Sequence, residues 1–196
     1  MTNPYQIVSD FENKIAEYTG APYAISIDSC TNGLFLCCKY LKVKEITIPS
    51  RTYPSVPCSI IHAGGSVKFE NYNWRGAYQL NPYPIWDAAK RLTSNMYLDN
   101  SFMCLSFHAK KALPIGRGGA ILTDNKESVD WFKMARFDGR HECALENDTF
   151  GMVGWNCYMT PEQAARGLLL MHFLPENNED PPEEAYPDLS KYEIYK

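Results

Sequence analysis

The stretch "SFHAKKALPIGRGGAILTDN" (106–125) places two adjacent lysines, Lys110 and Lys111, between an apolar run and a glycine cluster. The residues "SFMCLSF" (101–107) predict one buried strand and "GAILTD" (119–124) predict another. A lysine in the loop between two such strands would extend its side chain along the edge of the sheet. Desolvation or a nearby cation would there expose a nucleophilic amine. From this stretch alone a solvated lysine is the ordinary interpretation, and nothing separates the two lysines.

Strand and helix patterns alternate along the rest of the chain, with short connections between them. Further strands are predicted at 23–27, 45–49, 66–70 and 83–87, and helices at 31–41, 54–65, 126–137 and 161–174. Another helix is predicted from Ser9, where Ser9 and Glu12 form a capping-box pattern. This alternation predicts an α/β fold, a three-layer αβα sandwich with a mainly parallel sheet. Ligands of such sheets collect beyond the carboxyl ends of the strands.

Composition and charge exclude several classes of function. The 196 residues are 45% hydrophobic and 21% charged, without an apolar run long enough for a membrane span, and we expect a soluble, cytoplasmic protein. Seven cysteines lack metal-ligand spacing, so buried reduced thiols are expected and no metal site. The net charge of −4 lies in the last residues, and no basic stripe indicates nucleic-acid binding. We therefore divide the chain into a domain at 1–174 and an acidic, proline-rich tail at 175–196.

Polar residues follow four of the predicted strands. "DSCTNG" (28–33) offers Ser29, Thr31 and free backbone amides at a helix start, which suits a phosphate, although Thr31 is also an ordinary helix N-cap. Asp87 ends another strand, where it could cap a helix or pair with a cationic ring nitrogen. Tyr53 could lie in the core or cover a planar ligand. A phosphate site, an acid, an aromatic ring and an amine are together what pyridoxal phosphate requires.

In chain order these segments resemble the DegT/StrS-like sugar-aminotransferase family of fold-type I pyridoxal-phosphate enzymes. The resemblance covers roughly residues 7–171. It is carried by "FENKIAEYTGAPYAISIDSCTNGL" (11–34), "IPSRTYPSVPCSI" (48–60), "PIWDAAKRL" (84–92), "SFHAKKALPIGRGGAILTD" (106–124) and "GWNCYMTPEQAARGL" (154–168). The fourth segment matches the most specific motif of the family, Ser-Phe-His-x-x-Lys-x-Leu followed by glycines. The resemblance implies the large domain of that fold, pared down, with pyridoxal 5′-phosphate as cofactor.

The family motifs assign roles to individual residues. The register places the Schiff base on Lys111, with Ser106 and His108 of the same motif in the cofactor site. It also places Asp87 on the pyridine nitrogen and Tyr53 on the face of the ring. The phosphate turn consists of Ser29, Cys30 and Thr31, with Cys30 where glycine is usual. Asn156 would reach the phosphate in a neighbouring subunit, which implies a homodimer with a shared active site.

The chain also departs from the family pattern. Lys90 stands where glutamine is usual, and it could pair with the cofactor phenolate or be surface-exposed. Tyr158 stands where arginine is usual. A strand and a helix that family members have are missing between Glu70 and Trp86, and no small C-terminal domain follows Phe173. By its resemblance the chain is expected to be a truncated member.

The resemblance implies an aminotransferase that moves an amino group from an amino acid, glutamate or glutamine, to a keto acceptor such as a nucleotide-linked keto sugar. Lys111 would bind the cofactor and then move the proton as general acid and base, with Asp87 as the second catalytic residue. Two alternatives stay open. One is a pyridoxal-phosphate decarboxylase, lyase or dehydratase with a bulky substrate, since the same electron sink serves these reactions. The other is a non-catalytic cofactor-binding subunit that needs a partner.

Overall fold

The computed structural model describes residues 3–182 and 185–195, which form an α/β fold. The helices are α1 (Gln6–Thr19), α2 (Cys30–Tyr40), α3 (Ser55–His62), α4 (Lys126–Arg136) and α5 (Pro161–Met171). The strands are β1 (Tyr23–Ile27), β2 (Glu45–Pro49), β3 (Ser66–Glu70), β4 (Tyr78–Gln79), β5 (Ile85–Asp87), β6 (Phe102–Ser106) and β7 (Gly119–Thr123). All predicted strands and helices are present, and β4 is the strand that the sequence did not indicate.

The main sheet is mixed, which corrects the prediction of a mainly parallel sheet. Its order is β1-β7-β6-β5-β4, and only the β5–β6 pairing within it is parallel. Strands β2 and β3 form a separate parallel pair. The antiparallel pairings arise because β7 returns between β6 and β1, and because β4 forms a hairpin with β5.

Five of the seven strands nevertheless point the same way. Strands β1 and β6 are both antiparallel to β7, and β5 is parallel to β6. An antiparallel bridge between Thr47 of β2 and Asn81, just after β4, gives β2 and its partner β3 the same direction. The carboxyl ends of β1, β2, β3, β5 and β6 therefore lie along one edge, as the predicted site requires.

Alternating strand residues divide the core into two layers, one on each face of the sheet. Ile25, Cys104 and Ile121 belong to a cluster on one face with residues of α2, α3 and α4. Their strand neighbours Ala24 and Leu105 belong to the cluster on the other face, with residues of α1 and α5. This arrangement is the predicted three-layer sandwich. None of the seven cysteines, all of which lie in the described residues, forms a disulfide, and five are buried.

Helix α1 begins earlier than the capping-box pattern predicted. Its N-cap is Tyr5, so the predicted role of Ser9 as the cap is wrong. Glu12 lies on the buried face instead, where its Oε1 accepts hydrogen bonds from the backbone N–H and the hydroxyl of Ser26, both at 2.9 Å. Its carboxylate also pairs with the buried guanidinium of Arg136. Within residues 3–182 and 185–195, no helix has the length and apolar character that a membrane crossing requires.

Gly119, the first residue of β7, is required by the close approach of α2. A methyl group there would lie 2.6 Å from the backbone nitrogen of Cys30 and 2.7 Å from the carbonyl oxygen of Leu105. Because these atoms belong to the backbone, they cannot move aside easily. We expect Gly119→Ala to lower the free energy of unfolding by about 1–3 kcal/mol in urea titrations. Gly151→Ala is the control, because the nearest atom there is a flexible Met134 side-chain atom at 3.3 Å, and equal losses would contradict this explanation.

Candidate functional site

A cavity of about 850 Å³ opens at the carboxyl ends of the strands. Nine of the ten predicted site residues line it: Ser29, Cys30, Thr31, Tyr53, Asp87, Lys90, Ser106, His108 and Lys111. They come from four separate segments of the chain, as the strand-end argument predicted. The tenth, Asn156, does not line the cavity. The volume is within the range of small-molecule sites, about 300–1,000 Å³.

The start of α2 forms one side of the cavity. Ser29 is its N-cap, and its Oγ accepts a hydrogen bond from the backbone N–H of Asn32 at 3.2 Å. The alternative of Thr31 as the N-cap is therefore wrong. The Thr31 hydroxyl instead donates to the hydroxyl of Ser55 at 2.9 Å, and both residues line the cavity. The helix start thus directs hydroxyl groups and the positive end of its dipole at the cavity, which suits an anion.

Asp87, at the end of β5, is the buried acid of the cavity. Only 5% of it is exposed, and its Oδ1 accepts a hydrogen bond from the backbone N–H of Ala89 at 3.0 Å. Burial raises the pKa of Asp87, while the hydrogen bonds from Ala89 and Tyr78 and the positive charge of Lys111 oppose that rise. Residues 88–101 contain no helix, so Asp87 is not a helix cap. The acid is held toward the cavity beside a lysine.

Tyr78 supports Asp87 and was missed by sequence reasoning. It lies opposite Asp87 in the β4–β5 register, is 3% exposed, and its hydroxyl opposes the rise in the pKa of Asp87. The Thr52 and Tyr78 hydroxyls are 2.6 Å apart and form a hydrogen bond. Burial raises the pKa of Tyr78 well above its ordinary value, which keeps the phenol protonated as a donor. A two-residue strand carries too little pattern for the sequence to indicate this pair.

The raised pKa of Asp87 predicts a stability gain on its replacement. The folded-state pKa lies above the unfolded value, so between the two the folded chain holds a proton that the unfolded chain has lost. Stability therefore falls as pH rises through that window. We expect Asp87→Asn to be more stable than wild type at pH 7 in urea titrations without ligand, with the difference shrinking below about pH 4. Asp130→Asn, on exposed α4, is the control, and a less stable Asp87→Asn at pH 7 would contradict this expectation.

The loop between β6 and β7 distinguishes the two lysines. The Lys111 backbone N–H donates to the carbonyl of His108 at 2.9 Å, and this turn leaves the Lys111 side chain half-buried while Lys110 is exposed. The charge of Lys111 acts on the pKa values of Asp87 and Cys30. Both lysines line the cavity, but of the two only Lys111 is half-buried.

Lys90 and Tyr53 line the opposite side of the cavity. The Lys90 ammonium lies 5.6 Å from the ring centroid of Trp74 and 5.5 Å from that of Tyr186, and it donates to the carbonyl of Pro182 at 3.3 Å. Tyr53 is 59% exposed, with its ring edge-on to Tyr186. The alternative of a Lys90 that only faces solvent is therefore wrong. Trp74, Pro182 and Tyr186, which sequence reasoning did not single out, also line the cavity.

Asn156 lies away from the cavity, beside the end of α4. Its side-chain amide donates to a carboxylate oxygen of Asp138 at 3.1 Å, and Asn156 forms an antiparallel bridge with Phe137. The neighbouring Tyr158 packs edge-on against Phe137 and Tyr5. The role predicted for Asn156 concerns a second subunit and stays a prediction. No group of three or more His, Cys, Asp or Glu side chains in the described parts of the chain is arranged to hold a metal.

Comparison with protein families shows to which family this chain is related. The model of the DegT/DnrJ/EryC1/StrS aminotransferase family matches residues 1–95 and 95–185. The chain belongs to this family. The relationship predicted from the motifs is thereby confirmed.

Individual members of the DegT/DnrJ/EryC1/StrS family are distant in sequence but close in fold. The chain is 23% identical to UDP-4-amino-4,6-dideoxy-N-acetyl-beta-L-altrosamine transaminase of Campylobacter jejuni, over 88% of this chain and 58% of that protein. It is 22% identical to the spore coat polysaccharide biosynthesis protein SpsC of Bacillus subtilis, over 70% of this chain and 47% of that protein. The chain thus spans about half to three fifths of the length of these relatives.

Two solved structures share the fold. Helicobacter pylori PseC, an aminotransferase involved in the biosynthesis of pseudoaminic acid, matches with a TM-score of 0.74 at 18% identity, over 86% of this chain and 58% of that one. S. venezuelae DesV, in complex with a ketimine intermediate, matches with a TM-score of 0.71 at 18% identity, over 86% and 57%. These similarities confirm the fold-type I prediction at the level of the fold.

Proposed function

We propose that this chain is a pyridoxal-phosphate-dependent aminotransferase that moves an amino group from an amino acid, glutamate or glutamine, to a nucleotide-linked keto sugar. The observation that carries the proposal is the meeting of Asp87, Lys111 and the start of α2 at one cavity. Membership of an aminotransferase family supports it. So does the transaminase named among the relatives, which acts on a nucleotide-linked amino sugar.

The residues around the cavity fit pyridoxal phosphate. The cavity of about 850 Å³ can take the cofactor together with a substrate. A helix start with hydroxyl groups at Ser29 and Thr31 suits its phosphate, and Ser106 adds a third hydroxyl. Buried Asp87 and half-buried Lys111 suit the two ends of its ring, one as an acid and the other as an amine. The positive charge of Lys111 acts on the pKa of Asp87.

When bound, the cofactor would supply an electron-accepting ring that makes the bonds at the substrate Cα easier to break. Asp87 would hold a proton on the ring nitrogen, and Tyr78 would orient Asp87. Tyr53 would cover one face of the ring. Lys111 would hold the cofactor through Nζ and would also be the general acid and base that moves the proton at the substrate Cα.

Residues 1–174 would form the cofactor-binding domain of a cytoplasmic homodimer. Asn156 is placed outside its own cavity, which suits a residue that binds the phosphate in the partner subunit. Asn156→Ala should then lose cofactor affinity without dissociation of the dimer in sedimentation analysis. A monomeric wild type, or an Asn156→Ala dimer with unchanged cofactor affinity, would contradict this arrangement.

Half-reactions test the proposed function. Protein loaded with pyridoxal phosphate is mixed with L-glutamate, without an acceptor, and the absorption spectrum is followed. Transamination converts the cofactor to its amine form and releases 2-oxoglutarate in equal amount. L-glutamine serves as the second donor. Release of carbon dioxide or ammonia with the cofactor unchanged would instead favour a decarboxylase or lyase, and no reaction with either donor would contradict the donor assignment.

A further inference from the structure

The segment after α5 lies along the cavity. The backbone N–H of Asn178 donates to the hydroxyl of Thr93 at 3.1 Å, and its side-chain amide donates to the carbonyl of Leu92 at 3.0 Å. The same amide donates to the hydroxyl of Tyr18 at 3.0 Å. Asn178 therefore ties this segment to the loop that follows Asp87.

Asp180 adds a stronger attachment at the same end. Its carboxylate accepts hydrogen bonds from Arg91 Nε at 3.1 Å and Arg91 Nη2 at 2.5 Å, a bidentate pair with both side chains at least two-thirds buried. Its backbone carbonyl accepts a hydrogen bond from Arg75 Nη2 at 2.7 Å. A methyl group on Gly76 would overlap the Asp180 carboxylate, so glycine is needed beside it.

The other end of the segment is attached to Ser50 and Arg51, which follow β2. The backbone N–H of Leu189 donates to the carbonyl of Ser50 at 2.8 Å, and Leu189 is 2% exposed. Asp188 forms an antiparallel bridge with Arg51, two residues before Tyr53. The segment is thus held on both sides, and Asn178, Glu179, Pro181, Pro182 and Tyr186 line the cavity. With these residues in place the cavity still measures about 850 Å³, so they form a wall and do not fill it.

The Tyr186 ring contacts Trp74, Tyr53 and Lys90, which also line the cavity. Its ring lies nearly parallel to that of Trp74, with centroids 6.1 Å apart and planes at 10°. Its ring also meets that of Tyr53 edge-on at 6.4 Å. The Lys90 ammonium is almost equally far from the two ring centroids, 5.6 Å from that of Trp74 and 5.5 Å from that of Tyr186. Two aromatic faces therefore share one cation, which is an attractive arrangement.

We propose that Tyr186 is a positioning residue of the cavity: with Trp74 it holds the Lys90 ammonium, and its ring edge fixes Tyr53. The family motifs imply that Tyr53 covers the cofactor ring, and they place Lys90 where it could pair with the cofactor phenolate. The part of this inference that concerns the cofactor rests on the proposed function. The part that concerns Lys90 does not, because it is argued only from contacts between residues of this chain.

Lysine acetylation of the protein without cofactor tests whether Tyr186 restrains the Lys90 ammonium. Acetylation rates at individual lysines are measured by peptide mass spectrometry in wild type and Tyr186→Ala. We expect the acetylation rate at Lys90 to rise about two- to fivefold, because this factor corresponds to the loss of one exposed cation–π contact. Lys39, whose ammonium lies 5.9 Å from the Trp155 ring centroid, is the internal reference and should not change. An unchanged rate at Lys90 would overturn the proposal.

Further variants separate positioning from a general loss of structure. Tyr186→Leu keeps an apolar side chain but no aromatic face, so Lys90 should again react faster. Tyr186→Phe keeps both ring contacts and should match wild type. Tyr192→Ala is the matched control, because Tyr192 lies in the same segment, is half exposed and does not line the cavity. A faster reaction at Lys90 in Tyr192→Ala would overturn the specific role of Tyr186.

Cofactor titration tests the second part. The dissociation constant for pyridoxal 5′-phosphate, followed by absorption, should rise about two- to fivefold in Tyr186→Ala and stay unchanged in Tyr186→Phe and Tyr192→Ala. If the acetylation rate at Lys90 rises in Tyr186→Ala but the dissociation constant for pyridoxal 5′-phosphate does not change, the positioning role of Tyr186 is wrong. A wild type that binds no pyridoxal phosphate would overturn the proposed function, and the acetylation rates alone would then decide whether Tyr186 holds Lys90.

Discussion

Lys111→Ala is expected to slow the glutamate half-reaction by about 10²–10⁴-fold at saturating pyridoxal phosphate, since this is the usual contribution of a positioned general acid–base group. The reason is geometric: Lys111 is the half-buried lysine whose charge acts on Asp87 at the floor of the cavity. The rate is measured by stopped-flow absorption after L-glutamate is added.

Lys110→Ala is the matched control for this prediction. Lys110 is adjacent in the chain and also lines the cavity, but it is exposed where Lys111 is half-buried. We expect its rate to stay within a few-fold of wild type. Equal losses in the two variants would mean that the loop as a whole, and not the Lys111 amine, sets the rate. A larger loss in Lys110→Ala would contradict the assignment of Lys111.

Arg136→Met is expected to lower the free energy of unfolding by about 3–5 kcal/mol, since it removes the buried partner of the Glu12 carboxylate and leaves only the more exposed Lys133, at 3.7 Å. Arg136 is 1% exposed and bonds to Glu12 and to the carbonyl of Ser26, and it donates to Glu142 at 2.9 Å. Burial by itself would lower the pKa of Arg136, but the carboxylates of Glu12 and Glu142 outweigh it and hold that pKa above its ordinary value. The loss is measured by urea titration at pH 7.

Two further variants check the origin of this loss. Lys14→Met also replaces the cation of an ion pair by methionine, but this pair, with Glu17, is exposed. The free energy of unfolding should therefore fall by less than about 1 kcal/mol. The double variant Glu12→Leu with Arg136→Met removes both buried charges and should regain part of the single-variant loss. A double variant less stable than Arg136→Met would indicate that packing, and not the unpaired charge, dominates.

Sequence reasoning predicted the parts of the site that follow from strand ends. A buried strand that stops at a polar residue has few places for that residue to point, so Asp87 and the start of α2 could be assigned to one edge of the sheet. The choice between Lys110 and Lys111 needed the family motif, because adjacent residues of a loop differ in burial only through the turn that the loop forms. The turn from His108 to Lys111 supplies that difference.

Other features depend on contacts between distant segments and had no local signal. Strand β4 has two residues, and it matters because Tyr78 faces Asp87 across the pairing. Glu12 has the spacing of a capping box but is instead paired with Arg136, over 124 positions along the chain. The last segment is acidic and proline-rich, a composition typical of disorder, yet Asp180 and Leu189 attach it to the domain.

Borohydride reduction of the protein loaded with pyridoxal 5′-phosphate tests the proposed chemistry most directly. We expect a single peptide carrying the reduced pyridoxyl group, with the modification on Lys111 and none on Lys110. The same treatment of Lys111→Ala should leave no stable adduct in the peptide that contains residues 106–125. An adduct retained in Lys111→Ala, or a wild type modified only elsewhere, would contradict the assignment of Lys111 as the cofactor-binding residue.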